Sequence, residues 1–430
     1  MLTRIIGLDM EYGCAMIGEE DATNAVTYLM GLSDFDSEFL PNGGRFYRDM
    51  GHPEYATPEC LDPFEATRYH FGFDIYLNRL RARNLKQGRI ISVFRDNIDP
   101  AGTSFGCHEN YLMKRSVQWA KELAPTLVPF LVSRTIFCGS GHVDMKGQFH
   151  QSQRATVLDE VEAYHATEGD RSILNSRDEH LLLSDMARKY RRLHLTIGDA
   201  NFTHWSNLLK LGVTSIVLSM IEAGMNLSFL YPDQPIIAMQ TINADTSLKR
   251  KVLCKSRRAY TALDMQRYFC DSAERFIRRT TQTAEVPGWM SIIWTRWADV
   301  LDKLVKYKDQ PWGSLWSIDW ILKRYWLDLY RQEYPRASAH ELLAIAMDFH
   351  TVNPEKSLVA YMAQEYGLPE QCFRQESLAT TITTPPRFPR AIQRGNAVSR
   401  GKKGGRRINW DGIWLDRELE QPFDFPDIFR

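Results

Sequence analysis

The segment 42–59 constrains the fold of this chain most, because charged and aromatic side chains recur in it at every second position. It reads N-G-G-R-F-Y-R-D-M-G-H-P-E-Y-A-T-P-E. Neighbouring side chains of a strand point to opposite faces, so Arg45, Tyr47 and Asp49 share one face. After a glycine-containing bend and a proline, the row is predicted to continue through Glu54, Tyr55 and Glu59. A guanidinium, a phenol and carboxylates in one row suit a site for metal and phosphate, although a solvated polar strand has the same pattern.

A second strand with one polar face is predicted near the start of the sequence, in R-I-I-G-L-D-M-E-Y-G at residues 4–13. Apolar residues alternate there with Asp9 and Glu11, which is the period of a half-buried strand. These two carboxylates could bind a divalent cation together with Glu54, because Mg²⁺ is usually held by a few carboxylates plus phosphate and water oxygens. The alternative is two solvated acids on an edge strand.

Other polar residues allow two interpretations each. His52 and His108 could be ligands or general acids, or hydrogen-bonded structural residues. Two further clusters could clamp phosphates or form a salt-bridge network. They comprise Arg177, Asp178 and Glu179, and Arg191, Arg192 and His194. The sequence has no G-x-x-x-x-G-K-[ST] loop, no G-x-G-x-x-G after a strand and no G-x-S-x-G, so a nucleotide would not bind on a P-loop.

The rest of the chain alternates between strand and helix patterns. Strands are predicted at 90–94 and 194–201, and 108–113 could be a strand or the start of a helix. Helical spacing covers 117–137, 205–221 with Gly224 after its end, and several segments between 260 and 350. A boundary is predicted near residue 370, with a small C-terminal domain beyond it. This domain begins with a basic, partly flexible loop at 387–407 and contains a strand-like I-W-L-D.

Composition places few limits on function. Lys plus Arg and Asp plus Glu both number 53, so the formal net charge is zero and does not indicate a nucleic-acid or membrane partner. The seven cysteines are scattered without a C-x-x-C pair, and neither a signal peptide nor an apolar run of 18 residues is present. We therefore expect a soluble, cytoplasmic protein with reduced thiols.

Ten sequence blocks, in the same order along the chain, resemble the Pup ligase and depupylase family, whose members attach or remove the small disordered modifier Pup. The blocks are G-L-D-M-E-Y-G, N-G-G-R-F-Y-R-D, H-P-E-Y-A-T-P-E-C, D-P-A-G-T-S-F-G-C-H-E-N-Y-L-M, P-F-L-V-S-R, S-Q-R-A, N-S-R-D-E, Y-R-R-L-H-L-T-I-G-D-A-N, D-W-I-L-K-R and N-W-D-G. The resemblance implies an α+β, glutamine-synthetase-like fold, in which a curved antiparallel sheet backed by helices holds ATP and Mg²⁺. The catalytic domain would span 1–370 and the small C-terminal domain 371–430.

The resemblance also implies roles for individual residues. Asp49 falls on the position of the family's catalytic carboxylate. The family's metal ligands correspond to Asp9, Tyr47 and Glu54. Its contacts with ATP correspond to Arg45, Thr57 and Trp410. Asp9 replaces the family's usual Glu, which shortens the reach to the metal, and Gly44 replaces its Ala.

Two activities are consistent with this resemblance. A ligase uses ATP to phosphorylate the terminal side-chain carboxylate of Pup, and a substrate lysine then attacks the acyl phosphate. A depupylase cleaves the Pup–lysine isopeptide bond, or deamidates a terminal Gln, with a nucleotide bound. The compact segment 14–41 and the blocks A-T-P-E-C and F-G-C-H-E-N-Y-L favour the ligase, whereas D-M-G-H-P-E-Y, G-D-A-N, N-P-E-K and N-W-D-G are closer to the depupylase. We expect the ligase.

The expected partners follow from that activity. They are a small, acidic, disordered Pup-like modifier and lysine-bearing proteins, with a functional link to a bacterial proteasome. The basic loop could attract the acidic modifier or be a solvated linker. A third possibility is a non-catalytic scaffold that keeps the fold and uses this loop to bind protein or nucleic acid.

Overall fold

The computed structural model describes residues 3–19, 21–31, 37–164, 171–177, 184–307, 315–367, 372–401, 407–415 and 418–426. Its strands are β1 Ile6–Glu11, β2 Gly13–Met16, β3 Ser37–Phe39, β4 Arg45–Asp49, β5 His52–Ala56, β6 Ile91–Phe94, β7 Cys107–Lys114, β8 His142–Val143, β9 Phe149–His150, β10 Glu160–Ala163, β11 Ser172–Asn175, β12 Tyr190–Leu195, β13 Lys251–Leu253, β14 Ala259–Thr261, β15 Arg407–Ile408, β16 Gly412–Leu415 and β17 Glu418–Pro422.

The α-helices follow the same order along the chain. They are α1 Ala22–Met30, α2 Pro63–Leu85, α3 Ala124–Ser133, α4 Thr135–Cys138, α5 Ser184–Lys189, α6 His204–Glu222, α7 Pro235–Asn243, α8 Ala262–Thr281, α9 Gly288–Val305, α10 Asp319–Glu333, α11 Ala339–Asp348, α12 Leu358–Tyr366, α13 Gln375–Thr380 and α14 Pro389–Ser399. There are also a π-helical turn at Trp119–Leu123 and 3₁₀ turns at Arg154–Thr156 and Ser228–Leu230. In the described part of the chain, no helix combines the length and apolar character needed to cross a membrane.

Eight strands form one sheet in the order β10-β11-β12-β7-β1-β5-β4-β3. The strand β1 lies inside the sheet, antiparallel to both β5 and β7. The predicted α+β fold with a large sheet is confirmed. The sheet is antiparallel, as expected, except at one edge, where β10 and β11 run parallel.

One face of this sheet is apolar and packs on helices. Leu8 and Met10 of β1 are fully buried in the main hydrophobic core, which also contains residues of α2 and α6. Tyr55 belongs to this face as well, because its ring stacks on Phe73 of α2 with ring centroids 3.9 Å apart. Its predicted place in the polar row is therefore wrong, since it is adjacent to Glu54 and must point to the opposite side of the strand.

The helix predicted at 205–221 is confirmed as α6. Its first turn is capped by the Thr203 side chain, which accepts a hydrogen bond from Ser206 N–H, and Gly224 follows the C-cap residue with φ +80°. The segment 108–113 is a strand, within β7, and 117–137 is divided into a π-helical turn, α3 and α4. The strand predicted at 194–201 ends earlier, at Leu195, because the residues after it turn into a buried hydrogen-bonded network.

The C-terminal region packs directly against the hairpin formed by β4 and β5. Much of the predicted basic loop is helical, since 389–399 form α14. Two arginines of α14, Arg390 and Arg394, are buried and pair with the buried carboxylate of Glu59. Gly43 has φ +85°, and a Cβ atom there would lie 2.7 Å from the Ala391 carbonyl oxygen, so only glycine permits this close approach. The loop prediction failed because two of the arginines that suggested solvent exposure are buried against Glu59. The division at residue 370 stays a prediction.

Candidate active site

The polar face of the sheet collects the row of side chains predicted from the sequence. Tyr47 of β4 lies opposite Glu54 of β5, and Glu54 lies opposite Glu11 of β1. The Tyr47 hydroxyl donates a hydrogen bond to the Glu54 carboxylate. Asp49 ends β4 and is exposed, whereas Glu54 is 4% exposed. The register of three strands therefore brings together groups that are up to 43 residues apart in sequence.

Two adjoining cavities cover this face. The larger, of about 650 Å³, is lined by Asp9, Glu11, Arg45, Tyr47, Asp49, Met50, His52, Glu54, Thr103, Ser104, Phe105, Gly106, His108, Arg154, Arg171, Asn175, Arg177, Arg192, His194 and Thr196. The smaller, of about 190 Å³, contains Thr57 and Trp410. Both cavities share Asp9, Arg45, Tyr47 and Arg192 as a common wall. Two binding positions thus meet at the centre of the sheet.

The smaller cavity holds the three residues expected to contact ATP. The Thr57 hydroxyl accepts a hydrogen bond from Leu8 N–H at 2.9 Å, which fixes its position at the end of β5. Arg45 donates through Nε to the Ser37 hydroxyl at 2.8 Å, and its guanidinium lies over the Tyr47 ring. Trp410 comes from the C-terminal region and packs edge-on against Phe39 of β3, with ring centroids 5.1 Å apart. A guanidinium and an aromatic ring in one small cavity suit a nucleotide.

Negative charge is concentrated between the two cavities. Burial raises the pKa of Glu54 well above its ordinary value, and the carboxylates of Asp9 and Glu11 raise it further. Burial also raises the pKa of Asp9, against the opposing effect of Arg192 and a hydrogen bond from Asn110. The pKa of Glu11 is raised by burial as well. Desolvated carboxylates this close together require a cation or protons to be stable.

This donor set fits divalent cations at two positions. Carboxylate oxygens of Glu11, Asp49 and Glu54 lie within 4.8 Å of one another, which is the all-oxygen environment that Mg²⁺ prefers. A second group within the same distance contains Asp9, His108 and His194. Burial lowers the pKa of His108 to about 3 and that of His194 well below its usual value, so both rings are neutral and able to act as ligands. Asp9 and Glu54 belong to different groups, although the Asp9 carboxylate is close enough to raise the pKa of Glu54. That they share one metal stays a prediction.

The remaining candidates fall into different places. The ring of His52 lines the larger cavity and stacks on Phe105 with centroids 4.7 Å apart. Arg177 and Arg192 also line this cavity, whereas Arg191 donates to the backbone carbonyls of Arg115 and Val117. Asp178 and Glu179 lie outside the described residues. Glu59 is not part of the polar row, because it pairs with α14.

Sequence reasoning assigned no role to Arg154, Arg171 or Asn175, which line the larger cavity. Arg154 belongs to the block S-Q-R-A, so its motif was visible. The position of Arg154 could not be predicted, because long-range hydrogen bonds, such as that from its Nε to the Thr196 carbonyl oxygen, hold the turn Arg154–Thr156 beside the sheet.

Fold and site together define a glutamine-synthetase-like enzyme, with a helix-backed sheet whose polar face carries carboxylates and guanidiniums beside a small cavity lined by Arg45 and Trp410. The chain belongs to the Pup-ligase family, whose model, described as Pup-ligase protein, matches residues 20–414.

Relatives and solved structures agree with this assignment. The chain is 31% identical over 451 residues to a Pup–protein ligase of Gordonia bronchialis, covering 100% of this chain and 97% of that one. It is 33% identical to a depupylase of Acidothermus cellulolyticus over 385 residues, covering 88% and 75%. The structure of the ligase PafA in complex with Pup superimposes with a TM-score of 0.85 at 26% identity, covering 98% of this chain and 90% of that one. PafA in complex with ADP gives 0.78 at 27% identity, covering 91% and 88%.

Proposed function

We propose that this protein is an ATP- and Mg²⁺-dependent ligase that joins the side-chain carboxylate of a C-terminal Glu on a Pup-like modifier to lysines of protein substrates. The observation that carries the proposal is the position of Asp49. It is an exposed carboxylate at the mouth of a cavity whose inner wall holds Glu11 and Glu54 and whose far side adjoins the small cavity of Thr57 and Trp410. A lysine from a protein surface can reach Asp49 while a nucleotide is held behind it.

ATP would bind in the smaller cavity through Thr57, Arg45 and Trp410. The ADP complex of PafA supports this assignment, because that enzyme has the same fold. Arg45 lines both cavities, so its guanidinium can offset the negative charge that develops on the phosphoryl group as it moves from one to the other.

Mg²⁺ would be held by Glu54 and Glu11, with Tyr47 bonded to Glu54, and by Asp9 on the side of His108 and His194. When bound, the metal neutralises phosphate charge and orients the phosphoryl group for in-line transfer. The short side chain of Asp9 is steadied by Asn110, whose Nδ2 donates to it at 2.8 Å.

The reaction would proceed in two displacements. A carboxylate oxygen of the modifier's terminal Glu bonds to the γ-phosphorus of ATP, and the bond to ADP breaks. The lysine nitrogen then bonds to the acyl carbon, and inorganic phosphate leaves with the electrons of the C–O bond. The role of Asp49 is to take the proton from the lysine ammonium, because only the neutral amine is nucleophilic.

The ligase is favoured over the depupylase by the extent of similarity. The matching ligases align over the full chain and nearly all of their own length, whereas the depupylase is matched over 75% of its length. The 33% identity to the depupylase keeps that activity as the alternative.

The partners follow from this reaction. A Pup-like modifier is supported by the complex of Pup with PafA. Lysine-bearing substrates and a link to a bacterial proteasome are the further steps of the same proposal. We place the protein in the cytoplasm, where its seven free cysteines would stay reduced.

A single assay tests the proposal. The protein is incubated with ATP, Mg²⁺, a modifier ending in Glu and a lysine-bearing target. We expect a slower-migrating conjugate and one ADP per conjugate, and no conjugate with a target whose lysines are replaced by arginine. Release of modifier from a preformed conjugate without net ATP turnover would instead establish the depupylase. No ADP and no change in either substrate would refute both.

A further inference from the structure

One arginine of the larger cavity has an unusually rigid setting. Arg154 is 4% exposed, and two of its three guanidinium nitrogens donate hydrogen bonds within the protein. Nε donates to the Thr196 carbonyl oxygen at 3.1 Å, and Nη1 donates to the Ser104 hydroxyl at 2.7 Å and is 3.5 Å from the Phe105 carbonyl oxygen. Nη2 makes no hydrogen bond to any residue that the structure describes. A planar guanidinium held through Nε and Nη1 leaves Nη2 to donate to a ligand.

The turn that carries Arg154 is held by one carboxylate. Asp199 is buried, and its two oxygens accept five hydrogen bonds. The donors are Ser140 N–H at 2.7 Å, the Ser140 hydroxyl at 3.2 Å, the Ser152 hydroxyl at 2.8 Å, Gln153 N–H at 3.1 Å and Arg154 N–H at 3.0 Å. Because one of these donors is the backbone of Arg154 itself, Asp199 determines where that guanidinium lies.

A second arginine lies at the same end of the cavity. The side chain of Arg171 makes no hydrogen bond or ion pair with any described residue, and it lines the larger cavity only. Burial lowers the pKa of Arg154, and Arg171 lowers it further, against the attraction of Glu11 and Asp199. The two positive charges in this cavity repel each other, and an anion bound between them would relieve that repulsion. Arg45 and Arg192, by contrast, line both cavities and serve the nucleotide side.

We infer that Arg154 and Arg171 bind the main-chain carboxylate of the modifier's C-terminal residue, and that Asp199 is the positioning residue for Arg154. This inference rests on the proposed function. A terminal Glu carries two carboxylates only a few bonds apart, and the ligase must phosphorylate one of them. Arg154 and Arg171 line the larger cavity together with Glu11, whereas Trp410 lines the smaller one. A main-chain carboxylate bound by the two arginines leaves the side-chain carboxylate to face the metal ligands and the nucleotide.

The inference predicts discrimination between two otherwise identical peptides. The probes are a fluorescent acidic peptide ending in Glu with a free main-chain carboxylate and the same peptide with a main-chain carboxamide, both titrated in the presence of ADP and Mg²⁺. We expect the wild-type protein to bind the carboxylate at least about tenfold more tightly, as for a hydrogen-bonded charged group. Arg154→Met, Arg171→Met and Asp199→Asn should each reduce this ratio to about threefold or less while the affinity for ADP stays within about twofold.

Arg278→Met is the matched control, because Arg278 is exposed on α8 and its ion-pair partner among the described residues is Glu274 of the same helix. The ratio of this variant should equal that of the wild type. Arg171→Met keeps the test valid if the buried substitutions impair folding, since Arg171 is partly exposed. The inference is overturned if the wild-type protein binds both peptides equally or binds neither. It is also overturned if the variants lose affinity for ADP while their ratio stays that of the wild type, because the arginines would then bind phosphate. If the proposed function is wrong, the conjugation assay gives no conjugate, and this result is independent of the peptide titrations.

Discussion

At the scale of single residues, Asp49 carries the most specific prediction. Asp49→Asn should fold normally and keep its affinity for ADP, because the side chain is exposed and lies outside the nucleotide cavity. Conjugation should fall at least about 100-fold, the usual effect of losing a general base. Gel assays of conjugate and calorimetry with ADP measure the two properties, and Asp233→Asn, an exposed aspartate elsewhere, is the control. Full conjugation by Asp49→Asn would exclude the proposed role.

Glu54 tests the metal site at the same scale. Burial raises the pKa of its carboxyl, and Asp9 and Glu11 raise it further, so Glu54→Gln removes both a proposed metal ligand and a repulsive charge. We expect the Mg²⁺ concentration for half-maximal ATP turnover to rise at least about tenfold. In EDTA the variant should have a higher Tm than the wild type, because neutral Gln relieves repulsion among desolvated carboxylates. An unchanged Mg²⁺ requirement would mean that Glu54 is not a ligand.

At the scale of elements, the contact between α14 and the β4–β5 hairpin depends on Glu59. Burial alone would raise the pKa of this carboxyl, but Arg394 and Arg390 outweigh it and hold the pKa at about 2. Relative to an unfolded value near 4.5, this depression contributes about 3 kcal/mol of stability. The contribution is present above the unfolded pKa and is lost as pH falls through the folded value.

Glu59→Gln should therefore lower the free energy of unfolding by about 3 to 5 kcal/mol at pH 7, since it leaves two buried guanidiniums without their carboxylate. The difference between wild type and variant should shrink as pH falls from about 5 to about 2. Urea unfolding at several pH values measures both. A difference that stays constant with pH would show that packing, and not the ion pairs, holds α14.

Elements with a regular pattern were the ones that the sequence predicted well. The apolar spacing that defines α6 and the alternation that defines β1 are local properties, and both elements form where expected. The sequence predicted that Tyr47 and Glu54 belong to the polar row. It did not predict that they lie opposite each other, because that depends on the register of β4 and β5. The helix α14 was missed because the partner of its arginines, Glu59, lies more than 300 residues earlier. Arg154 had a motif but no visible location, since Asp199 and Thr196 place it from another part of the chain.

At the scale of the whole molecule, the smaller cavity, in which we propose that the nucleotide binds, is assembled from both ends of the chain. The residues of β1, β4 and β5 form its floor, and Trp410 reaches it from beyond α14. Arg394 links the two parts, because it pairs with Glu59, donates to the Trp410 carbonyl oxygen at 2.9 Å and lies 4.5 Å from the centroid of the Trp410 ring. Nucleotide binding and docking of the C-terminal region should therefore be coupled, since a ligand that contacts Trp410 stabilises its contact with the sheet.

Trp410→Ala tests this coupling. The ring is partly exposed, so its removal should change the Tm of the free protein little. The dissociation constant for ATP should rise by about 5- to 100-fold, the range expected for loss of an aromatic contact with a base. ADP should raise the Tm of the wild type more than that of the variant at equal concentration, because the stabilisation follows affinity. Phe229→Ala, which removes an exposed aromatic ring between α6 and α7, is the control and should leave ATP affinity unchanged. If Trp410→Ala binds ATP as the wild type does, the base lies elsewhere and the C-terminal region serves the modifier or the substrate protein instead.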